Sequence, residues 1–123
     1  MSAFGRATEA AVRSYIYQVG ESATLRRLTG TQQIPMSVEL RAVIGGAAEQ
    51  QMAGSAMQMD RQVIISNHEI AAKRWPGPPR RGDRLIAGRR SYTVEDVDTI
   101  VVDDVTVQHE LRVRGGPSGN GVV

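Results

Sequence analysis

The chain reads as a mainly β protein: a small β-barrel or sandwich of about six to seven antiparallel strands, with an N-terminal helix and one short helix near residues 67–74. Three observations point there. Short runs of alternating apolar and polar residues recur along the chain, most regularly in VTVQHELRV at residues 105–113. Breaks rich in Gly and Asp separate these runs at hairpin spacing. Only residues 2–19 carry three- and four-residue apolar spacing over the length of a full helix. At 123 residues the chain fits one domain with a modest core. Its expected organisation is a helix at 1–20, a β-barrel domain at 21–115 with a long loop at 45–59, and a Gly-rich, disordered tail at 116–123.

In the helix, Phe4, Ala7, Ala11 and Tyr15 share one side, with Val12, Ile16 and Val19 beside them and Gly20 as the stop. A lone helix of this length is marginal in water, so its apolar side must dock, either on its own domain or on a neighbouring subunit. Residues 23–28 form a short strand closed by Thr29-Gly30. In 36–44, Met36, Val38, Leu40, Ala42 and Ile44 share one face, with Glu39 and Arg41 on the other. Residues 61–65 hold contiguous apolar residues, which implies cover on both faces. Asn67 caps a short helix over 67–74, and the WPGPP that follows ends it. Residues 85–87 and 91–94 flank the turn Gly88-Arg89-Arg90. Gly82 gives the preceding turn its backbone freedom, and Leu85, Ile86, Tyr92 and Val94 cover a core face. Tyr92 and Val94 share a parity that Val97 breaks, which predicts a bulge near Asp96. Asp103-Asp104 is the next turn. In the last strand Val105, Val107, His109, Leu111 and Val113 face in, while Thr106, Gln108, Glu110, Arg112 and Arg114 face out.

The charges are segregated along the chain. Lys73, Arg74, Arg80, Arg81, Arg84, Arg89 and Arg90 stand against Asp83 alone, a net of +6 over residues 73–90. Glu95, Asp96, Asp98, Asp103, Asp104 and Glu110 meet no Lys or Arg over 95–110, a net of −6. The whole chain is only +2, so the high isoelectric point hides a near balance. Arg supplies fourteen of the fifteen basic residues. A GC-rich genome yields that bias unaided, although Arg also suits bidentate ion pairs. A small protein with both signs in separate blocks can pair with copies of itself, and Arg80, Arg81, Arg84, Arg89, Arg90, Glu95, Asp96, Asp98, Asp103 and Asp104 are the candidate contacts.

Little in the chain looks catalytic, and no enzyme activity is expected. With no Cys and two His, a metal centre would need both histidines and carboxylates gathered by the fold, and no metal or other cofactor is expected. No Gly-x-Ser-x-Gly elbow or phosphate-binding Gly-x-x-x-x-Gly-Lys-Ser/Thr loop occurs. His109, on an apolar face, reads as a buried or interfacial histidine. The basic block is a candidate phosphate surface through Arg80, Arg81, Arg89 and Arg90, but only Trp75 and Tyr92 flank it, too few to stack single-stranded bases. The N-terminus lacks the charged and apolar regions of a signal peptide, and no run approaches a bilayer span, so no membrane partner is expected.

The order of helix, strands, long loop, RRGDRLIAGRRSYTVEDV and a final alternating strand resembles the head–tail joining proteins of long-tailed bacteriophages. These are the lambda-like head-completion or stopper proteins of the neck, with relatives in prophages and gene transfer agents. The likeness spans residues 21–115 and is densest over 80–97, where a Gly-Asp turn precedes an aromatic residue and valines. It implies a non-enzymatic virion protein, assembled in the cytoplasm of a host bacterium into a homo-oligomeric ring, a hexamer or dodecamer. The ring would sit between a portal or adaptor ring above and tail proteins below. Double-stranded DNA would pass through it without sequence readout. The resemblance also sends the loop to the channel, carried here by Gly45, Gly46, Glu49, Gln50, Gln51, Met52, Gly54, Met57 and Met59. Gly and Ala permit rearrangement there and Met adapts to irregular apolar contacts. The loop has no Lys or Arg, so it would narrow the channel sterically. Alternatives are a tail terminator or tail-tube component of the same kind of particle, or a small nucleic-acid-binding β-barrel.

Overall fold

A computed structural model describes residues 3–29, 34–45 and 59–115. The elements are α1 (Ala3–Val19), β1 (Glu21–Thr29), β2 (Ile34–Ile44), β3 (Met59–Ser66), α2 (Asn67–Ala72), β4 (Arg84–Ala87), β5 (Arg90–Val102) and β6 (Val105–Gly115). The strands are antiparallel and close into a barrel in the order β1-β2-β3-β6-β5-β4. The circuit gives every strand two neighbours, but the register leaves residues 34–41 of β2 and 94–102 of β5 with a strand partner on one side only.

Alternation explains the interior. Ala23 and Leu25, Leu40 and Ala42, Val63 and Ile65, Leu85 and Ala87, Tyr92 and Val94, and Leu111 and Val113 are buried together. Each pair sits two residues apart on its strand, which places both side chains on the inner face. The expected bulge is present as a register shift between Val94 and Asp96, with a second between Ile100 and Val101. Several other expectations change. Ile86 faces outward and is only half-buried, because Leu85 and Ala87 take the inner parity of a four-residue strand. In β3, Gln62 is exposed, so the cover on its outer face is partial. The cap of α2 is Ser66 rather than Asn67: its side chain accepts a bond from the Glu69 amide at 3.4 Å, and α2 stops at Ala72.

Segment 66–75 repairs a gap in the barrel. β2 pairs with β3 only through Ala42, Val43 and Ile44, which leaves the earlier part of β2 without a strand partner on that side. The Arg41 amide donates instead to Glu69 Oε1 at 3.0 Å, and Lys73 Nζ donates to the Glu39 carbonyl at 2.5 Å. Ile70 and Trp75 enter the core behind these bonds.

The docked face of α1 is not the stripe that the spacing picked out. Phe4 and Tyr15 are 67% and 53% exposed, and Ala7 and Ala11 are exposed with them. Gly5 and Ile16 are buried instead, with Glu9 and Val12 partly covered between them. Gly5 explains the choice. A Cβ there would lie 2.6 Å from the Val102 carbonyl oxygen and 2.7 Å from Val105 Cγ2, so only glycine lets the helix meet the β5–β6 hairpin this closely. At the other end, Arg41 Nη2 donates to the carbonyls of Tyr17 (3.2 Å) and Gly20 (2.6 Å), supplying a cation and donors where the helix runs out of partners.

No helix among the described residues is long and apolar enough to cross a membrane. In the 45–59 loop, Gly45 is half-buried with its amide on the Gln62 carbonyl at 2.7 Å, and Met59 begins β3. Gly46, Glu49, Gln50, Gln51, Met52, Gly54 and Met57 lie outside the described residues, as does the 116–123 tail.

Candidate functional site

The Gly82-Asp83 turn is built around a buried ion pair. Asp83 accepts from Arg27 Nε at 2.8 Å and from Arg27 Nη2 at 2.7 Å, a two-point match of carboxylate to guanidinium. The Arg80 amide adds a third bond to Asp83 Oδ2 at 2.8 Å. Trp75 lies against the guanidinium, its centroid 4.8 Å from Arg27 Cζ, and the Pro78 carbonyl accepts from Nη2 at 3.4 Å. Gly82 adopts φ +96°, and backbone bonds between Gly82, Asp83 and Val94 tie the turn to β5. Arg27 Nη1, buried, has no hydrogen-bond partner.

A cleft of about 710 Å³ opens above this pair, between β1 and β4. Its charged lining is Arg26, Arg27, Arg80, Arg81 and Arg84 against Asp83 alone. Since Asp83 is fully engaged by Arg27 and the Arg80 amide, the remaining guanidinium groups make a strongly cationic concavity. Of the expected contacts, Arg80, Arg81 and Arg84 meet here. Arg89 sits in the β4–β5 turn and Arg90 opens β5, where its Nη1 donates to the Tyr92 hydroxyl at 3.2 Å. Arg26 and Arg27 were not anticipated. Arg27 had left a trace, because it shares its parity with the core residues Ala23 and Leu25; Arg26 left none.

The acidic residues lie elsewhere. A second cleft, of about 480 Å³, is lined by Asp60, Asp96, Asp98 and Glu110 together with Arg61 and Arg112. It sits on β3, β6 and β5, at the bulge. In the barrel circuit β1-β2-β3-β6-β5-β4, the β1–β4 seam lies across the barrel from the β3–β6 seam, so the two clefts occupy opposite walls. Asp103 and Asp104 form the exposed tip of the β5–β6 hairpin, and Glu95 is half-buried on β5.

His109 is 1% exposed. Its Nε2 lies 2.9 Å from Asn67 Oδ1, which can only accept, so Nε2 carries the proton; Nδ1 then accepts from the Thr99 hydroxyl at 3.0 Å. Burial lowers its pKa, and both neighbours suit the neutral ring. Among the described residues no group of three potential metal ligands converges. The two aromatic residues beside the basic block, Trp75 and Tyr92, are both buried, so neither offers a face for base stacking.

In comparisons with known proteins, no family model matches the chain and no characterised protein matches it significantly in sequence.

Proposed function

We propose that this protein is a structural subunit that assembles head to tail into a ring, and that it serves as a head–tail connector of the stopper type in the neck of a tailed phage-like particle. The observation that carries the self-assembly is the opposition of charge across a closed barrel. A basic cleft on the β1–β4 wall and acidic groups on β5 and β6 cannot neutralise one another within one copy. They can do so between copies, through a heterologous interface in which one patch meets a different patch on the neighbour. Repeating that contact closes a ring when the rotation between neighbours permits. The exposed apolar stripe of α1 adds surface that an assembly would bury. The place of the ring in a phage neck rests on the sequence resemblance over residues 21–115.

The position of the long loop supports the stopper role. The chain leaves β2 at Ile44 and enters β3 at Met59, so a ring would bring together one such connection from each subunit. Deletion of residues 47–57 separates the possibilities. A stopper lacking them folds and enters particles, but filled heads lose their DNA. If heads retain DNA normally with the shortened chain in place, the stopper role is wrong. If tails fail to form while heads stay filled, the chain belongs to the tail.

A further inference from the structure

We propose that the exposed guanidinium groups of Arg26, Arg80, Arg81 and Arg84 in the β1–β4 cleft form a binding site for phosphate groups. In a ring, a bound phosphate would compete with a neighbour's carboxylates for these arginines. The site itself needs only one copy of the chain, so it does not rest on assembly.

The strand register sets arginine against arginine. Arg26 of β1 and Arg84 of β4 are Cα partners in adjacent antiparallel strands, and both are exposed. Each holds the outward parity, between the buried Leu25 and Arg27 on β1 and between the buried Asp83 and Leu85 at the start of β4. Side chains directly opposed in this way begin about 4.5–5.5 Å apart, and like charges so placed destabilise a sheet. The cross-strand row that holds them continues to Ser37 of β2 and Thr93 of β5, so it contributes no carboxylate. Arg84 Nη1 meets the Ser91 hydroxyl at 3.4 Å. Arg80 and Arg81 enter from the turn before β4. The side chains of Arg26, Arg80 and Arg81 have no acidic partner among the described residues. Folding thus gathers four cations that repel one another, and an anion between them relieves that cost.

The carboxylate in the cleft lining does not relieve it. Asp83 is buried, and it already accepts from Arg27 Nε, Arg27 Nη2 and the Arg80 amide. Arg27 is itself too enclosed to serve a ligand, since its remaining Nη1 is also buried. Its part is to cancel Asp83 from beneath. The charge that faces solvent is therefore that of the four outer arginines.

Charge and shape select the anion. One carboxylate would bring a single negative charge to four guanidinium groups. A phosphate group brings about −1.5 to −2 at neutral pH and three acceptor oxygens. The planar fork of Arg can hold two of those oxygens at once. The cleft, of about 710 Å³, has room for more than one such group, and the Ser91 hydroxyl adds a neutral donor beside Arg84. Bases would gain nothing here, because Trp75 and Tyr92 are both buried. Recognition is confined to phosphate, whether it arrives on a small oligophosphate or on a nucleic-acid backbone.

Calorimetric titration of the full chain with tripolyphosphate, at an ionic strength held constant with sodium chloride, separates binding from screening. The wild type should bind, and Arg26→Gln combined with Arg84→Gln should weaken binding by about tenfold or more. Arg74→Gln removes one exposed charge outside the cleft and should bind as the wild type does. Because the double change removes a like-charge pair, its melting temperature without phosphate should be equal or higher. A short DNA duplex titrated in the same way identifies the source. Binding of the duplex but not of tripolyphosphate, with the same dependence on Arg26 and Arg84, supports the site and assigns it to backbone phosphates. The proposal is overturned if neither probe binds, or if the double variant binds them as tightly as the wild type. It also fails if citrate binds as well as tripolyphosphate, which would mark a carboxylate site. A lower melting temperature of the double variant would contradict the repulsion on which the site rests.

Discussion

Asp83 shows how one residue can be locally legible and globally hidden. Its place after Gly82 marks a turn, and the turn is there, with Gly82 at positive φ. Its partner Arg27 is 56 residues away, on a strand that sequence reading supplies only as an alternating run. The parity of Arg27 with Ala23 and Leu25 announces a charge inside the barrel, but not what neutralises it. Because both side chains are nearly inaccessible, at 8% and 4%, removing one partner strands the other. Asp83→Ala should therefore cost about 3–5 kcal/mol in a urea titration. Arg27→Met combined with Asp83→Ala should cost less than the two single changes added together, because no unpaired charge is left behind. A loss below about 1 kcal/mol for Asp83→Ala would mean that the pair is as weak as a surface ion pair.

At the scale of elements, α1 is where apolar spacing gave the right helix and the wrong face. Phe4, Ala7, Ala11 and Tyr15 form the more apolar stripe, yet the barrel takes the neighbouring stripe through Gly5, Val12 and Ile16. Bulk favours Phe4 and Tyr15 in any hydrophobicity argument. Close approach favours Gly5, and that requirement depends on a hairpin almost a hundred residues downstream. The strands were easier to read, since alternation fixes the inner face of each. Their circular order was not legible, because residue patterns do not state which strand pairs with which. Residues 67–74 were read as a short helix capped by Asn67; a helix is there, but it spans Asn67–Ala72 and is capped by Ser66, and its task of supplying partners to Glu39 and Arg41 exists only because β2 and β3 diverge. Gly5→Ala should destabilise the protein even though alanine is the better helix former by about 1 kcal/mol, because the added methyl meets backbone. Phe4→Ser should change stability by no more than about 0.5 kcal/mol. Thermal melts of the two variants decide the matter, and a stabilised Gly5→Ala would show that α1 can lift from the hairpin without loss.

For the whole molecule, the central feature is a closed barrel with an arginine-rich cleft on the β1–β4 wall, a carboxylate-rich cleft shared with Arg61 and Arg112 on the opposite wall, and a buried neutral imidazole at His109. The charge blocks were visible as runs in the chain; their opposition across the barrel came from the β1-β2-β3-β6-β5-β4 circuit. His109 joins three parts of that circuit, since it sits on β6 and bonds to Thr99 of β5 and to Asn67 at the start of α2, just after β3. Protonating it would place a second N–H against the Thr99 hydroxyl and a charge in a site 1% exposed. Burial lowers its folded-state pKa below 6.5. In the window between about 6.5 and that lower value the unfolded chain binds more protons than the folded one, so stability falls as pH falls. The slope there is about 1.4 kcal/mol per pH unit, and it ends once the folded ring also protonates. Above pH 6.5 this contribution is complete and flat. His109→Gln should lower stability at neutral pH, because Gln cannot satisfy Thr99 and Asn67 together, and it should also remove the slope just below pH 6.5. Urea titrations of both proteins across that range test the assignment. An unchanged slope in the variant would locate the pH sensitivity in groups other than His109, and the barrel interior would then be indifferent to its charge.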